Sequence, residues 1–145
     1  MTWSNFPECR SDESHSQITV SEKGKTFSLL NSRRVKISRV RVDGCALRGQ
    51  RACDWMLVPA DGQEELYVEL KGSDVEYAAE QIRASIVALS SNRRLLPKRC
   101  FVISSRCPLV SSEVQVLAIK FKREFNALLV IRRVRHSAPY PRIAL

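Results

Sequence analysis

The sequence predicts an α/β domain on a central mixed sheet, in the order strand-strand-strand-helix-strand-helix-strand. Three observations carry this. Two β-rich runs, 54–59 and 65–71, are joined across an Asp61-Gly62 turn signal. Two later stretches repeat apolar residues at helical spacing. A short apolar run of strand length follows each of them, which suits strands added to a sheet through crossover helices.

The elements follow in order. Residues 1–16 are polar, rich in Ser, Glu and Asp, and predict a loose arm; 17–136 form the single domain and 137–145 a C-terminal tail. Residues 17–31 read as a hairpin turning at Glu22-Lys23-Gly24-Lys25, where a first helix would otherwise stand. Residues 34–42 alternate charged and apolar residues, a half-buried strand pattern. The apolar parity shifts from Val35/Ile37 to Val40/Val42, which predicts a bulge near Ser38-Arg39, and Asp43-Gly44 then turns the chain. Asp74 is placed to cap a helix over about 75–91, with Val75, Ala78, Ala79, Ile82, Ile86 and Leu89 on its apolar stripe. Residues 100–103 form a buried strand stopped near Pro108. A second helix over about 112–126, with Ser112 as its cap, precedes a last strand at 127–131.

The hairpin arithmetic brings chemistry together. With Asp61-Gly62 as a two-residue turn, Asp54 faces Glu69 across the strand pair, and Lys71, two residues beyond Glu69, shares their face. Leu66, Val68 and Leu70 point the other way. Mg²⁺ favours carboxylate and water oxygens and takes one or two protein carboxylates. A bound cation acidifies water and neutralises charge on a transferring phosphoryl group, and an adjacent lysine orients that water. The competing account is a surface strand pair with a cross-strand Lys–carboxylate contact. Glu64 and Glu65 are expected at the solvated end of the hairpin, and Asp43 as a turn residue.

The run Cys53-Asp54-Trp55 through Tyr67-Val68-Glu69-Leu70-Lys71-Gly72, followed by a helix, resembles the motif of the PD-(D/E)XK nuclease superfamily. The resemblance covers roughly residues 34–131. It implies a three-layer restriction-endonuclease-like core, a mixed sheet flanked by helices, that cuts DNA or RNA with Mg²⁺ or Mn²⁺. It implies Asp54 and Glu69 as metal ligands, the backbone carbonyl of Leu70 as a further ligand, and Lys71 as the catalytic lysine. Two departures stand out. Members often carry an acidic residue on a helix before the first core strand, and Glu22, the candidate here, sits in a hairpin signal. Some carry a Gln on the helix after the motif with Tyr four residues on; Gln81 fits, but Ser85 follows it.

Charge favours a polyanionic partner. With 24 Lys+Arg against 15 Asp+Glu the net charge is +9, which fits nucleic acid, DNA being the expected one. Arg33, Arg34, Lys36, Arg93, Arg94, Arg132, Arg133 and Arg135 are the candidate phosphate contacts. Tyr140, in the tail, is a weak candidate for base stacking. No apolar run approaches 18 residues and the N-terminus lacks a signal-peptide core, so a cytoplasmic protein without membrane attachment is expected. The five cysteines form no C-x-x-C pair, which argues against a zinc or iron–sulfur site. His15 and His136 are expected in solvated tails.

The expected function is a Mg²⁺- or Mn²⁺-dependent endonuclease. Double-strand cutting needs two active sites, so a homodimer is compatible with so short a chain. The alternative is a nuclease-like module that binds nucleic acid or protein without catalysis.

Overall fold

The computed structural model describes residues 1–70, 74–106 and 111–142, with Ser111 described by its backbone alone. Its strands are β1 (Arg10–Glu13), β2 (Gln17–Glu22), β3 (Lys25–Asn31), β4 (Ile37–Arg41), β5 (Trp55–Pro59), β6 (Glu65–Glu69), β7 (Lys98–Ser104), β8 (Ala127–Arg133) and β9 (Arg135–Tyr140). The helices are α1 (Val75–Leu89) and α2 (Ser111–Phe125). Six strands form the main sheet, in the order β1-β4-β5-β6-β7-β8, and β2-β3-β9 form a second sheet. The first four strands of the main sheet pair antiparallel; β6, β7 and β8 run parallel. The fold is therefore α/β with a mixed sheet and two helices.

Both helices lie on one face, as two parallel crossovers made in the same direction require. Ala78, Ala79, Ile82, Ile86 and Leu89 of α1, with Phe121 and Phe125 of α2, pack there against Met56, Val58, Tyr67, Cys100 and Val102. The other face is covered by the small sheet, whose Ile18, Val20, Phe27 and Leu29 pack on Leu57, Leu66, Val68, Leu70 and Phe101. The helices thus flank one face only, and the N-terminal hairpin expected in place of a first helix fills the other flanking layer with β9. Its turn is at Lys23-Gly24, both at positive φ, the geometry a two-residue type I′ connection demands.

Residues 10–13 and 135–140, expected in a loose arm and a tail, are strands. Two 3₁₀ turns, Trp3–Asn5 and Pro7–Cys9, lead into β1, which pairs with β4 from Arg10↔Val40 to Glu13↔Ile37. A Cys9–Cys45 disulfide, 36 residues apart in sequence, fastens this edge. Closing such a loop stabilises the fold by about 4 kcal/mol on a chain-entropy account. Residues 135–140 pair parallel to β3, burying Ala138 and Tyr140, and the Tyr140 hydroxyl donates to Asp61 Oδ1. Tyr140 is thus a core residue and not a base-stacking aromatic.

Local expectations are also corrected. No bulge interrupts β4, whose pairing to β5 is continuous from Ile37↔Pro59 to Arg41↔Trp55. The parity shift arises because β4 is buried on both faces, with Ile37 in one core and Val40 in the other. Helix α2 begins at Ser111, so Ser112 lies inside it and does not cap it. Glu64 and Glu65 are buried, not solvated. Glu64 is ion-paired with buried Arg99, and Glu65 accepts from Tyr67 Oη (2.9 Å), Ser90 Oγ (2.6 Å) and the Ser91 amide (2.9 Å).

Candidate active site at the carboxyl edge of the parallel strands

The β5–β6 pairing, Trp55↔Val68, Met56↔Tyr67 and Leu57↔Leu66, keeps the expected register. One step further along it, Asp54 stands opposite Glu69. The connection is more than a two-residue turn: the Gly62 amide bonds to Pro59 O at 3.1 Å, with Gly62 at φ 72°, and the Gln63 amide bonds to Asp61 Oδ1. Asp54 is 4% exposed and Glu69 2%. Both belong to the face that α1 covers, at the carboxyl ends of β6, β7 and β8, where open α/β sheets place their ligand sites.

Among the described residues, contacts hold both Asp54 and the segment that leads to it. The Leu70 amide donates to its Oδ2 at 2.8 Å. The Val42 amide donates to its carbonyl at 3.1 Å, extending the β4–β5 ladder past the last paired strand residues. The residues just before it are clamped by α1: Gln81 Nε2 donates to Ala52 O at 3.2 Å, and the Cys53 amide donates to Ser85 Oγ at 2.9 Å. Ser85 in turn donates to Gln81 O at 2.9 Å. Helix α1 is set in place by Asp74, whose Oδ1 accepts from the Tyr77 amide. The expected cap residue thus starts the helix, and the packing of Ala78, Ala79, Ile82 and Ile86 on the sheet turns Gln81 and Ser85 toward the Asp54 segment.

The electrostatics are those of a desolvated acidic site. Burial first, then the neighbouring Glu69 and Asp54 carboxylates, push the Cys53 thiol far above its usual range, against the lowering effect of the Ser85 hydroxyl. Cys53 stays a thiol here and is not a nucleophile. Two carboxylates at close quarters in a water-poor corner form a hard-oxygen donor set suited to a small divalent cation. Among the described residues no group of three or more His, Cys, Asp and Glu side chains gathers for a metal. A cation here would rest on two carboxylates and on backbone or water oxygens.

The other candidates divide. Lys71 lies outside the described residues, as does Cys107. Gln81 adjoins the site as a positioning residue. Glu22 ends β2 opposite Lys25, in the sheet that packs on the other face, and is not brought to the pair. Asp43 begins the loop that returns to Asp54, its amide bonded to Cys53 O at 3.0 Å. Of the basic residues, Arg132, Arg133 and Arg135 lie at the acidic end of the sheet, since Ser104↔Arg133 closes the β7–β8 ladder. Arg33, Arg34 and Lys36 precede β4 at the opposite end, where Lys36 O accepts from the Ala60 amide at 2.8 Å. Arg93 and Arg94 are also at that end, just before β7.

Sequence reasoning missed the aromatic flank of this edge. Trp55, next to Asp54 but facing the other core, has the Arg39 and Arg41 guanidiniums 5.1 and 5.7 Å from its ring centre. Arg51 sits 5.7 Å from the ring of half-exposed Tyr77. The only signal for the Trp55 cluster was the cross-strand position of Arg41, legible once β4 was paired with β5. Among the described residues no helix is long and apolar enough to cross a membrane. No family model, no curated protein and no solved structure matches the chain.

Proposed function

We propose that this protein is a metal-dependent endonuclease of the PD-(D/E)XK type, with DNA as its expected substrate. The observation that carries the reading is the buried Asp54/Glu69 pair at the carboxyl edge of the parallel strands. Two carboxylates on adjacent strands at this edge are a hard-oxygen donor set of the kind that holds Mg²⁺ or Mn²⁺. A divalent cation, when bound there, acidifies water and neutralises charge building on phosphorus.

Asp54 and Glu69 would hold the cation, with the Leu70 carbonyl as a further oxygen donor. The Leu70 amide fixes the orientation of the Asp54 carboxylate through Oδ2. Gln81 and Ser85 keep the Asp54 backbone from shifting. Lys71 is proposed to orient the attacking water. Arg132, Arg133 and Arg135 supply positive charge at the same edge and would position phosphates without reading bases.

The test is incubation of supercoiled plasmid, single-stranded DNA and RNA with the protein in Mg²⁺ or Mn²⁺ and in EDTA, beside Asp54→Ala and Lys71→Ala. Metal-dependent cleavage of one substrate, lost in both variants, is expected. Retention of all substrates without cleavage under any metal would favour the non-catalytic binding module instead.

A further inference from the structure

A second charged feature lies at the far end of the helix layer. Arg83, Val87, Arg93, Arg94, Arg123 and Phe125 line most of a cleft of about 480 Å³ between α1, the 91–97 segment and the end of α2. Arg83 is neutralised there, donating to Glu124 Oε2 at 2.6 Å while its guanidinium lies 5.8 Å from the Phe125 ring centre. Arg93, Arg94 and Arg123 are exposed and have no ion-pair partner among the described residues.

Cations near helix carboxyl ends are often explained by the helix dipole. Here that role is filled already. Buried Lys98 sends Nζ to Phe125 O at 3.0 Å, at the end of α2, and to Asn92 O (2.9 Å), Arg93 O (3.0 Å) and Leu96 O (2.6 Å). The same segment is pinned by the Leu95 amide to Asn92 Oδ1 and by Asn126 Nδ2 to Leu95 O. Lys98 thus satisfies the carbonyls from beneath, and the ordered segment projects Arg93 and Arg94 outward. Three guanidiniums remain as surplus positive charge around a concave surface, the arrangement that binds phosphate oxygens bidentately.

We infer that this cleft is a second phosphate-binding site, holding the backbone of a nucleic acid away from the acidic edge. It rests on the nucleic-acid part of the reading above and not on the cleavage chemistry. The 15 residues of α1 separate the two ends by about 22 Å at 1.5 Å per residue, or roughly six to seven base pairs of duplex. A duplex engaged at both ends is therefore held along the helix layer.

The experiment is fluorescence anisotropy with a labelled duplex of mixed sequence in EDTA, where no cleavage proceeds, over a range of NaCl concentrations. The wild type is compared with Arg93→Gln/Arg94→Gln/Arg123→Gln, which leaves the Arg93 carbonyl used by Lys98 and the Arg83–Glu124 pair in place. Folding of the variant is checked by circular dichroism, and Arg94→Gln alone serves if the triple variant unfolds. The expected result is an affinity loss of tenfold or more at low salt. The slope of log K against log salt should fall by about two to three for three lost phosphate contacts, or by about one for Arg94→Gln alone. Unchanged affinity and slope in a folded variant, or no duplex binding by the wild type, would overturn the inference. So would a variant unaltered on duplex but impaired on polyglutamate, which would assign the cleft to acidic polypeptides. Failure to cleave any substrate while the slope change holds would sink the nuclease reading and leave this one standing.

Discussion

The amide of Leu70 donates to Asp54 Oδ2 at 2.8 Å, so one residue of the Glu-x-Lys string orients the carboxylate of the neighbouring strand. The contact is buried at both ends. The Asp54 carboxylate thus holds the hairpin edge together as an acceptor, while its negative charge is what a cation would engage. Structural and chemical roles can therefore be separated by substitution.

Asp54→Asn keeps an oxygen acceptor for Leu70 but loses the charge. We expect a folded protein within about 1 kcal/mol of wild type and a fall in cleavage of more than ~100-fold, beyond what loss of an outer partner costs. Asp54→Ala also strands the Leu70 amide, at an additional cost of about 1–3 kcal/mol. Urea denaturation beside plasmid cleavage checks this; equal activity of wild type and Asp54→Asn would remove Asp54 from the chemistry.

Gln81 and Ser85 act through the Asp54 backbone. Ser85→Ala leaves the buried Cys53 amide without its acceptor and should lower stability by about 1–3 kcal/mol. Gln81→Ala, at a half-buried position, should change stability less. Each should lower the turnover number about 10–100-fold with little change in KM, because each displaces a ligand and not the substrate. A rise in KM at unchanged turnover would instead place Gln81 against the substrate.

Glu64 and Arg99 form an ion pair at 7% and 5% side-chain exposure. Removing one charge leaves the other buried, so Glu64→Gln should destabilise by about 3–5 kcal/mol. Replacing both with Leu and Met should recover most of that. Chemical denaturation of the two variants is the check, and a Glu64→Gln protein as stable as wild type would contradict the assignment.

His136 packs beside Phe27 and Phe101, ring centres 6.3 and 5.8 Å away. Burial, and then the Arg132 charge, lower its pKa from the ordinary 6.5. The unfolded chain therefore binds this proton more readily than the folded one. Its contribution to stability is full above about pH 6.5 and is lost as pH falls through the lower folded value. An NMR titration of the imidazole should give a midpoint below 6.5; one at or above it would mean the ring is solvated.

The parts legible in the sequence were those set by local rules. Asp61-Gly62 and the β-rich runs around it gave the hairpin register, and Asp74 with the 75–89 apolar stripe gave α1. What escaped depended on partners distant in the chain. Residues 10–13 look like a polar arm until β4 offers an edge, and 135–140 like a tail until β3 does. Glu64 and Glu65 read as solvated because Arg99, Ser90 and Ser91, which satisfy them, lie 25 to 35 residues away. The acidic pair at the candidate site was legible; its clamp by Gln81 and Ser85 depends on where α1 docks, which the helical stripe alone does not specify.

Mn²⁺ binding, followed by electron paramagnetic resonance of the free ion, tests the central claim that Asp54 and Glu69 together hold a divalent cation. The account predicts saturable binding to the wild type, abolished in both Asp54→Asn and Glu69→Gln while each stays folded. A wild type that binds no Mn²⁺, or folded variants that bind it as well as the wild type does, would contradict it.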